Sequence, residues 1–156
     1  MTKLESVSQL LKVCKNESIF GELSTLVELS KNHDSVFWKG GSRHPYDIEC
    51  DGKRIEVKAC NVDNEWAKLQ RRRDGSFQSG FDKIYPERFD YLVCVSFDKN
   101  FLDSKFYVFN PDNVLLFQKG KWSKFPDAFT LEIRKYDDPK VNKVIEDSSG
   151  AWKKIK

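Results

Sequence analysis

The segment Tyr46–Cys60 constrains the fold of this chain more than any other stretch. Its centre is the dipeptide Asp51-Gly52, which suits a type I′ turn because both central residues of that turn need a positive φ. Apolar and polar residues alternate on both sides of the turn, and this pattern predicts a β-hairpin with two distinct faces. With a two-residue loop, the apolar face consists of Ile48, Cys50, Ile55, Val57 and Ala59.

The opposite face of the predicted hairpin is charged and carries Asp47, Glu49, Arg54, Glu56 and Lys58. The register sets Asp47 opposite Glu56, and two facing carboxylates repel each other and weaken a sheet. A divalent cation between them would make the pair favourable, because Mg²⁺ binds one or two carboxylates together with water and phosphate. Lys58, further along this face, could contact that phosphate or an attacking water. The alternative is a solvated face on which Arg54 and Lys58 neutralise the acids.

Asp47 followed by Glu56-Val57-Lys58 resembles the signature of the PD-(D/E)XK nuclease superfamily. In that pattern an Asp begins one strand and the sequence E-x-K lies on the next; here Pro45-Tyr46, rather than a single Pro, precedes the Asp. The resemblance implies an α/β fold with a mixed sheet, the restriction-endonuclease-like αβββαβ core. That core would cover roughly residues 16–98 of a single domain, and a strand-rich extension would cover residues 99–156.

The same resemblance implies a function, which is Mg²⁺-dependent hydrolysis of phosphodiester bonds in duplex or branched DNA, with Mn²⁺ able to substitute. Asp47 and Glu56 would hold the metal, with the Val57 carbonyl as a further ligand, and Lys58 would orient or help to deprotonate the attacking water. Small members of the superfamily cut as homodimers, so we expect a homodimer. A restriction-type or other anti-phage endonuclease is the first expectation, and a junction resolvase, a repair nuclease or a mobile-element nuclease is the next.

A helix is predicted from about Glu17 to Lys31, with Asn16 as its cap. In archaeal Holliday-junction resolvases, which this part of the chain resembles, the helix before the first strand supplies a Glu seven residues ahead of a core Leu. Glu22 and Leu29 have that spacing, so the resemblance makes Glu22 a third carboxylate of the metal site. Helical periodicity alone favours an ordinary solvent-facing residue, and Glu28 is the competing candidate.

Basic residues near the hairpin are candidates for contacts with nucleic acid. Arg43 and His44 directly precede the hairpin and could contact phosphate; His44 could also act as a general base, although a loop His is more often an ordinary surface residue. A second group is interleaved with Trp66, Phe77 and Phe81, and this composition predicts a surface that follows the phosphate backbone. That group is Lys68, Arg71, Arg72, Arg73 and Lys83.

The alternative for this basic segment is a solvated charged hairpin, because Asp74-Gly75 is a second turn signal. Gln70 could correspond to the glutamine that follows E-x-K in some nuclease branches. Beyond this segment, the nearly continuous apolar run Tyr91–Phe97 predicts a strand buried on both faces. Further strands are predicted at Ser35–Trp38, Phe106–Phe109, Val114–Phe117 and Phe129–Arg134, with a helix at Pro139–Glu146 and a loosely ordered or DNA-contacting tail after it.

Composition sets the outer limits of these expectations. The chain has 156 residues, of which 39% are hydrophobic and 33% charged, and these values fit one water-soluble domain. The sequence contains no membrane-length apolar run and no secretory signal, so we expect a cytoplasmic protein without a membrane partner. The four cysteines include no C-x-x-C pair, so no zinc site is expected. A net charge of +3 permits DNA binding without requiring it.

Two rival functions fit the same sequence. One is a non-catalytic nuclease-like module that binds DNA or a partner protein, although such a module would usually have lost one of Asp47, Glu56 and Lys58. The other is an interaction domain in which the motif arose by chance, and such a domain would not bind a divalent metal. Metal affinity therefore distinguishes the last possibility from the other two, and DNA cleavage distinguishes an enzyme from a binding module.

Overall fold

The computed structural model of the protein describes residues 5–6, 9–11, 14, 16–40, 44–73, 75–101 and 103–156. Two sheets and several helices form a mixed α/β fold, as the sequence predicts. The elements in chain order are α1 (Glu17–Ser30), β1 (Val36–Trp38), β2 (Ile48–Cys50), β3 (Lys53–Asn61), α2 (Glu65–Arg73), β4 (Ser79–Ile84), β5 (Tyr91–Phe97), β6 (Lys105–Phe109), α3 (Pro111–Val114), β7 (Gln118–Lys119), β8 (Phe129–Ile133) and α4 (Pro139–Ser148), with 3₁₀-helices at Pro86–Arg88 and Trp152–Lys154.

The larger sheet has the strand order β1-β2-β3-β5-β6, and a smaller sheet has the order β4-β8-β7. In the larger sheet β3 and β5 are parallel, and the other neighbours are antiparallel. β5 is buried on both faces, as predicted. Its residues Val93 and Val95 pack into the core on the side of α1, whereas Leu92 and Cys94 pack into the core that includes the smaller sheet.

The predicted hairpin is confirmed, with Ile48 opposite Ile55 and Cys50 opposite Lys53. Asp51 and Gly52 have φ values of 48° and 81°, as a type I′ turn requires. One detail of the prediction is wrong, because regular pairing ends at Ile48 and Asp47 is not paired with Glu56. The backbone N–H of Asp47 donates instead to the carbonyl of Ile55, at 3.0 Å.

Helix α1 packs unusually close to β3. The predicted cap is confirmed, since the Asn16 side chain accepts a hydrogen bond from the backbone N–H of Ile19 at 3.0 Å. Within the helix, a Cβ atom on Gly21 would lie only 2.8 Å from the Cβ of Ala59. Glycine therefore allows the helix to approach the strand, and this approach brings the next residue, Glu22, to the edge of the charged hairpin face.

The structure differs from one alternative and two predicted elements. Residues 65–73 form helix α2, so the hairpin alternative for this segment is wrong and a helix precedes the buried strand, as in the αβββαβ core. Residues 114–117 are not a strand, because Asn110 and Asn113 form a reciprocal cap around the short helix α3. The tail is packed rather than loose, since the Gly150 N–H donates to the Phe106 carbonyl and Ile155 is buried in the core.

Among the described residues, no helix combines the length and the apolar character needed to cross a membrane.

Candidate active site

A cavity of about 220 Å³ opens over the charged face of the hairpin. Its lining comes from residues 44–47, just before β2, from β3, and from the segment between the end of β4 and the residues before β5. The lining residues are His44, Pro45, Asp47, Glu56, Lys58, Lys83, Tyr85, Arg88 and Phe89. The motif residues identified in the sequence therefore share one cavity.

Asp47 is fixed by the strand beside it. Its Oδ2 accepts a hydrogen bond from the backbone N–H of Val57 at 2.8 Å. This bond is available because Asp47 leaves the regular ladder, and it orients the carboxylate toward β3. The Val57 side chain points the other way, into the core against α1. Burial raises the pKa of the Asp47 carboxyl, although the Val57 hydrogen bond partly opposes this effect.

Glu22 joins Asp47 from helix α1. Its Oε1 accepts a hydrogen bond from the Trp38 indole nitrogen at 3.4 Å. Burial, followed by the negative charge of Asp47, raises the pKa of Glu22 to about 7. The two carboxyl groups are therefore close enough for each to disfavour the ionised form of the other. The rival candidate Glu28 pairs with Lys31 at 2.9 Å instead.

Glu56 and Lys58 project from β3 into the same cavity. Burial and the nearby Asp47 raise the pKa of Glu56, and Lys58 partly opposes this shift. The Lys58 Nζ lies 3.2 Å from the Glu56 Oε1. Within the described chain, no lysine or arginine nitrogen lies within 4.0 Å of the carboxylates of Glu22 or Asp47. We call Glu22, Asp47 and Glu56 the acid cluster.

The acid cluster has the chemistry of a site for a hard divalent cation. Of the lysines and arginines that the structure describes, Lys58 alone forms an ion pair with these three carboxylates, and Mg²⁺ prefers such oxygen ligands. A different set of side chains is more closely spaced. Across the described residues, His33, Cys50 and Asp51 are the one group of three or more whose potential ligand atoms all lie within 4.8 Å of one another. These residues lie at the turn of the hairpin and do not line the cavity.

The predicted nucleic-acid contacts fall in two separate places. His44 and Lys83 line the cavity, whereas Arg43 lies outside the described residues. Arg71 donates to the carbonyl of Val62, just beyond the far end of β3, and lines a different cavity there. The other predicted residues, Lys68, Gln70, Arg72 and Arg73, belong to helix α2 with Arg71. Lys83 is thus spatially distinct from the rest of the predicted group.

Two of the aromatic rings in this segment belong to the core. Phe77 and Phe81 are each only 3% exposed, so neither ring face is available for stacking on a base. Trp66 packs edge-on against Phe77, with their ring centroids 5.6 Å apart, and it covers Gly80. The interleaving of aromatic and basic residues in the sequence reflects packing in this part of the fold.

Sequence reasoning missed Tyr85, Arg88 and Phe89 as lining residues. Phe89 is buried, and the guanidinium carbon of Arg88 lies 4.0 Å from the centroid of the Tyr85 ring. The available signal was the cluster Pro86-Glu87-Arg88 directly before a buried strand, since a short turn there must end beside the start of β5. Only the pairing of β5 with β3 brings that turn to the hairpin.

The fold is similar to that of a known nuclease. The solved structure of the bacterial homing endonuclease I-Ssp6803I superposes with a TM-score of 0.59, covering 89% of this chain and 90% of that chain at 15% sequence identity. No protein-family model and no curated protein matches the sequence. The chain therefore has a nuclease-like fold, shared with that protein over nearly the whole length of both.

Proposed function

We propose that this protein is a metal-dependent endonuclease that hydrolyses phosphodiester bonds in DNA, and that it belongs to the PD-(D/E)XK superfamily. The observation that carries the proposal is the convergence of Asp47, Glu56 and Lys58 in one cavity of a nuclease-like fold, with Glu22 close to Asp47. The pattern Asp47…Glu56-Val57-Lys58 is the one that the superfamily uses for this chemistry. The structural similarity to a homing endonuclease is in keeping with this reaction class.

Asp47, Glu56 and Glu22 would hold Mg²⁺, or Mn²⁺ in its place, with the Val57 carbonyl as a further ligand. When bound, the metal would polarise a phosphoryl oxygen and lower the pKa of a bound water. The chain prepares this site by fixing Asp47 on the Val57 N–H and Glu22 on the Trp38 indole. The oxygens of the three acids do not all lie within 4.8 Å of one another, so Glu22, Asp47 and Glu56 would draw together around the cation when it binds.

Lys58 supplies a positive charge at the reacting group. Its Nζ is kept beside Glu56, which positions it at the wall of the cavity. From there it would orient the attacking water, help to remove its proton and offset the negative charge that develops on the phosphoryl group. Loss of one such stabilising group typically costs on the order of 100-fold or more in rate.

We infer that the substrate is duplex or branched DNA and that the protein acts as a homodimer, because one cavity serves one strand. A restriction-type or other anti-phage endonuclease is our first choice of biological role. A junction, repair or mobile-element nuclease is the alternative. We also expect a cytoplasmic protein.

The deciding experiment measures cleavage of supercoiled plasmid, linear duplex and a four-way junction with Mg²⁺ or Mn²⁺. We expect metal-dependent cutting by the wild-type protein and none by the Asp47→Ala and Lys58→Ala variants. Glu28→Gln is the matched control, because Glu28 lies on the same helix as Glu22 but pairs with Lys31, so its activity should equal that of the wild type. If these substrates stay intact, the assay is repeated with the DNA of a complete phage genome, which contains a wide range of recognition sequences.

Calorimetric titration of Mn²⁺ tests the metal site separately. Binding should disappear in Asp47→Ala and persist in His33→Gln, because the group around His33 is distinct from the cavity. Mn²⁺ binding that depends on His33 and not on Asp47 would contradict the proposed site. Metal binding without cleavage of any of these DNAs would leave the binding-module alternative.

A further inference from the structure

Besides the acids and Lys58, the cavity is lined by two further cations, Lys83 and Arg88. We name these two residues the cationic wall. Neither residue is part of the PD-(D/E)XK pattern, and Lys58 is already paired with Glu56. In the described part of the chain, Lys83 and Arg88 form no ion pair with an acid within 4.0 Å. Lys83 contacts the Phe125 ring, and Arg88 lies close enough to Glu56 to lower the pKa of that acid. Since neither cation is neutralised by an ion pair among the described residues, both are able to bind an anionic ligand in the cavity.

Arg88 lies on a turn whose backbone is held in place by hydrogen bonds, an ion pair and a buried neighbour. Arg54 donates to the Glu87 carbonyl at 3.3 Å and pairs with Asp90 at the same distance. The neighbouring Phe89 is 2% exposed, so the backbone of the turn is fixed on both sides of Arg88. The guanidinium stacks on the Tyr85 ring, which orients its planar set of N–H donors while leaving the donor edge available.

Lys83 reaches the cavity through an irregular backbone. Its φ is 54°, a left-handed value that is costly for a residue with a side chain. The register between β4 and β8 shifts at this position, between Phe81 and Ile84. Bulges of this kind re-aim a side chain and are frequent beside active sites. Here the Lys83 Nζ lies 4.8 Å from the centroid of the Phe125 ring, which supports the extended side chain.

We propose that Arg88 and Lys83 bind a backbone phosphate of the DNA inside the cavity and that Arg88 is a substrate-positioning residue. This inference rests on the proposed nuclease function. Arg88 would donate to the phosphate with two N–H groups, the bidentate geometry for which guanidinium is suited. A bound dication would compensate the negative charge of the acid cluster. The positive charge of the cationic wall would then be available to neutralise the phosphate of the substrate.

The test measures binding of a fluorescent 30-base-pair duplex between 50 and 200 mM NaCl. Ca²⁺ is present because it takes oxygen ligands as Mg²⁺ does. We expect Arg88→Gln to weaken binding about tenfold and to reduce the slope of log affinity against log salt by about one, the signature of a lost phosphate contact. Lys83→Gln should have a similar effect, and Arg88→Lys should restore the slope but only part of the affinity.

Lys99→Gln is the matched control. Lys99 is exposed and follows the far end of β5, whose seven residues span about 23 Å from the Arg88 end at ~3.3 Å per residue. In cleavage assays, Arg88→Gln should raise KM about tenfold and change kcat little, because the contact holds the substrate before and during the reaction. Circular dichroism melting confirms that each variant is folded.

The outcomes distinguish this inference from the proposed function. If the wild type cuts DNA while Arg88→Gln matches Lys99→Gln in affinity, salt slope and KM, the inference is overturned and the nuclease function stands. If binding depends on Arg88 but no metal supports cleavage, phosphate binding by the cationic wall is supported and the nuclease function fails. A wild-type protein that binds no duplex overturns both.

Discussion

Glu132 in the smaller sheet and the acid cluster in the cavity differ in how their negative charge is compensated. Glu132 is 9% exposed, and both of its carboxylate oxygens are used, one by Lys121 and the other by Arg134 Nε at 3.0 Å. The three carboxylates of the acid cluster have one ion pair with the cations in the described part of the chain, that of Glu56 with Lys58. Burial raises the pKa of all three of its acids.

The comparison suggests what each group of charges is for. A buried acid with two cationic partners contributes to the folded state, and its removal leaves those partners uncompensated. Burial and mutual repulsion raise the pKa of the acids in the acid cluster. Their ionised forms therefore contribute little to the stability of the folded state and are available to bind a ligand. The following predictions test this distinction.

The largest expected effect is on the rate of DNA cleavage, which should depend on the acid cluster and not on Glu132. Glu56→Gln should lower the rate of metal-dependent DNA cleavage at least 100-fold, since it removes a charged ligand while keeping the shape of the side chain. Glu132→Gln, the matched change in the smaller sheet, should leave the rate per folded molecule within about twofold, because Glu132 lies outside the cavity. Steady-state cleavage at equal concentrations of folded protein measures both. Equal losses in the two variants would contradict the distinction.

The free energy of unfolding should depend more on Glu132 than on Glu56, the reverse of the expected effects on cleavage. Glu132→Ala should lower the free energy of unfolding by about 3 kcal/mol, because it strands the positive charges of Lys121 and Arg134 at a largely buried position. Glu56→Ala should cost less than about 1 kcal/mol in metal-free buffer, because it also relieves repulsion with Asp47. Urea denaturation at pH 8 provides both values. A larger loss for Glu56→Ala than for Glu132→Ala would reverse the comparison.

The pH dependence of stability tests the comparison at Glu22, an acid whose ionised form folding should disfavour. Its pKa rises from an ordinary value of 4.5 to about 7 on folding, so between these pH values the folded state binds a proton that the unfolded state has lost. Metal-free wild-type protein should therefore lose stability relative to Glu22→Gln as pH rises from 4.5 through 7, by about 2 kcal/mol after solvent screening of this half-buried carboxyl is allowed for. The difference should level off above about pH 8.

Urea denaturation of both proteins at several pH values measures this difference. Glu28→Gln controls for the loss of an acid on the same helix, and its stability relative to the wild type should not change in this way. A wild type that gains stability over Glu22→Gln across this range would show that folding stabilises Glu22 as a carboxylate, contrary to this prediction.

The smallest effect tests the packing that brings Glu22 to Asp47. In Gly21→Ala the new methyl group meets Ala59, so α1 must move away from β3. Overpacking costs ~1–3 kcal/mol and the better helix propensity of alanine returns up to ~1, so we expect a net loss of about 1 kcal/mol together with weaker Mn²⁺ binding. Gly75→Ala is the control, since no atom lies within 4 Å of its added methyl group. If Gly21→Ala binds Mn²⁺ as tightly as the wild type, the packing of α1 against β3 does not determine metal affinity and this prediction is wrong.

Local patterns predicted the hairpin well, because the turn residues and the alternation are both contained in fifteen residues, Tyr46–Cys60. They did not identify Glu22, whose importance followed only from the family resemblance; helical periodicity gives no reason to single it out. The contact of Gly21 with Ala59, which explains the position of Glu22, depends on packing between two elements and is not encoded in either segment alone.

The other side of the cavity was less predictable. Asp74-Gly75 resembles a hairpin signal, yet the preceding residues Glu65–Arg73 form a helix. Strand β4 was missed because it pairs with β8, about fifty residues later, and no local pattern specifies such a partner. The positions of Lys83 and Arg88 depend on that long-range pairing, so the sequence could suggest their charge but not their location.

The difference in sequence separation has a consequence for the order of folding. Asp47 meets Val57 across ten residues, and such local contacts form rapidly and with little loss of chain entropy. The sheet that carries Lys83 closes only when residues 79–84 find residues 129–133. We therefore expect the half of the cavity that carries Asp47 and Glu56, the proposed metal ligands, to form before the half that carries Lys83 and Arg88, the proposed phosphate contacts.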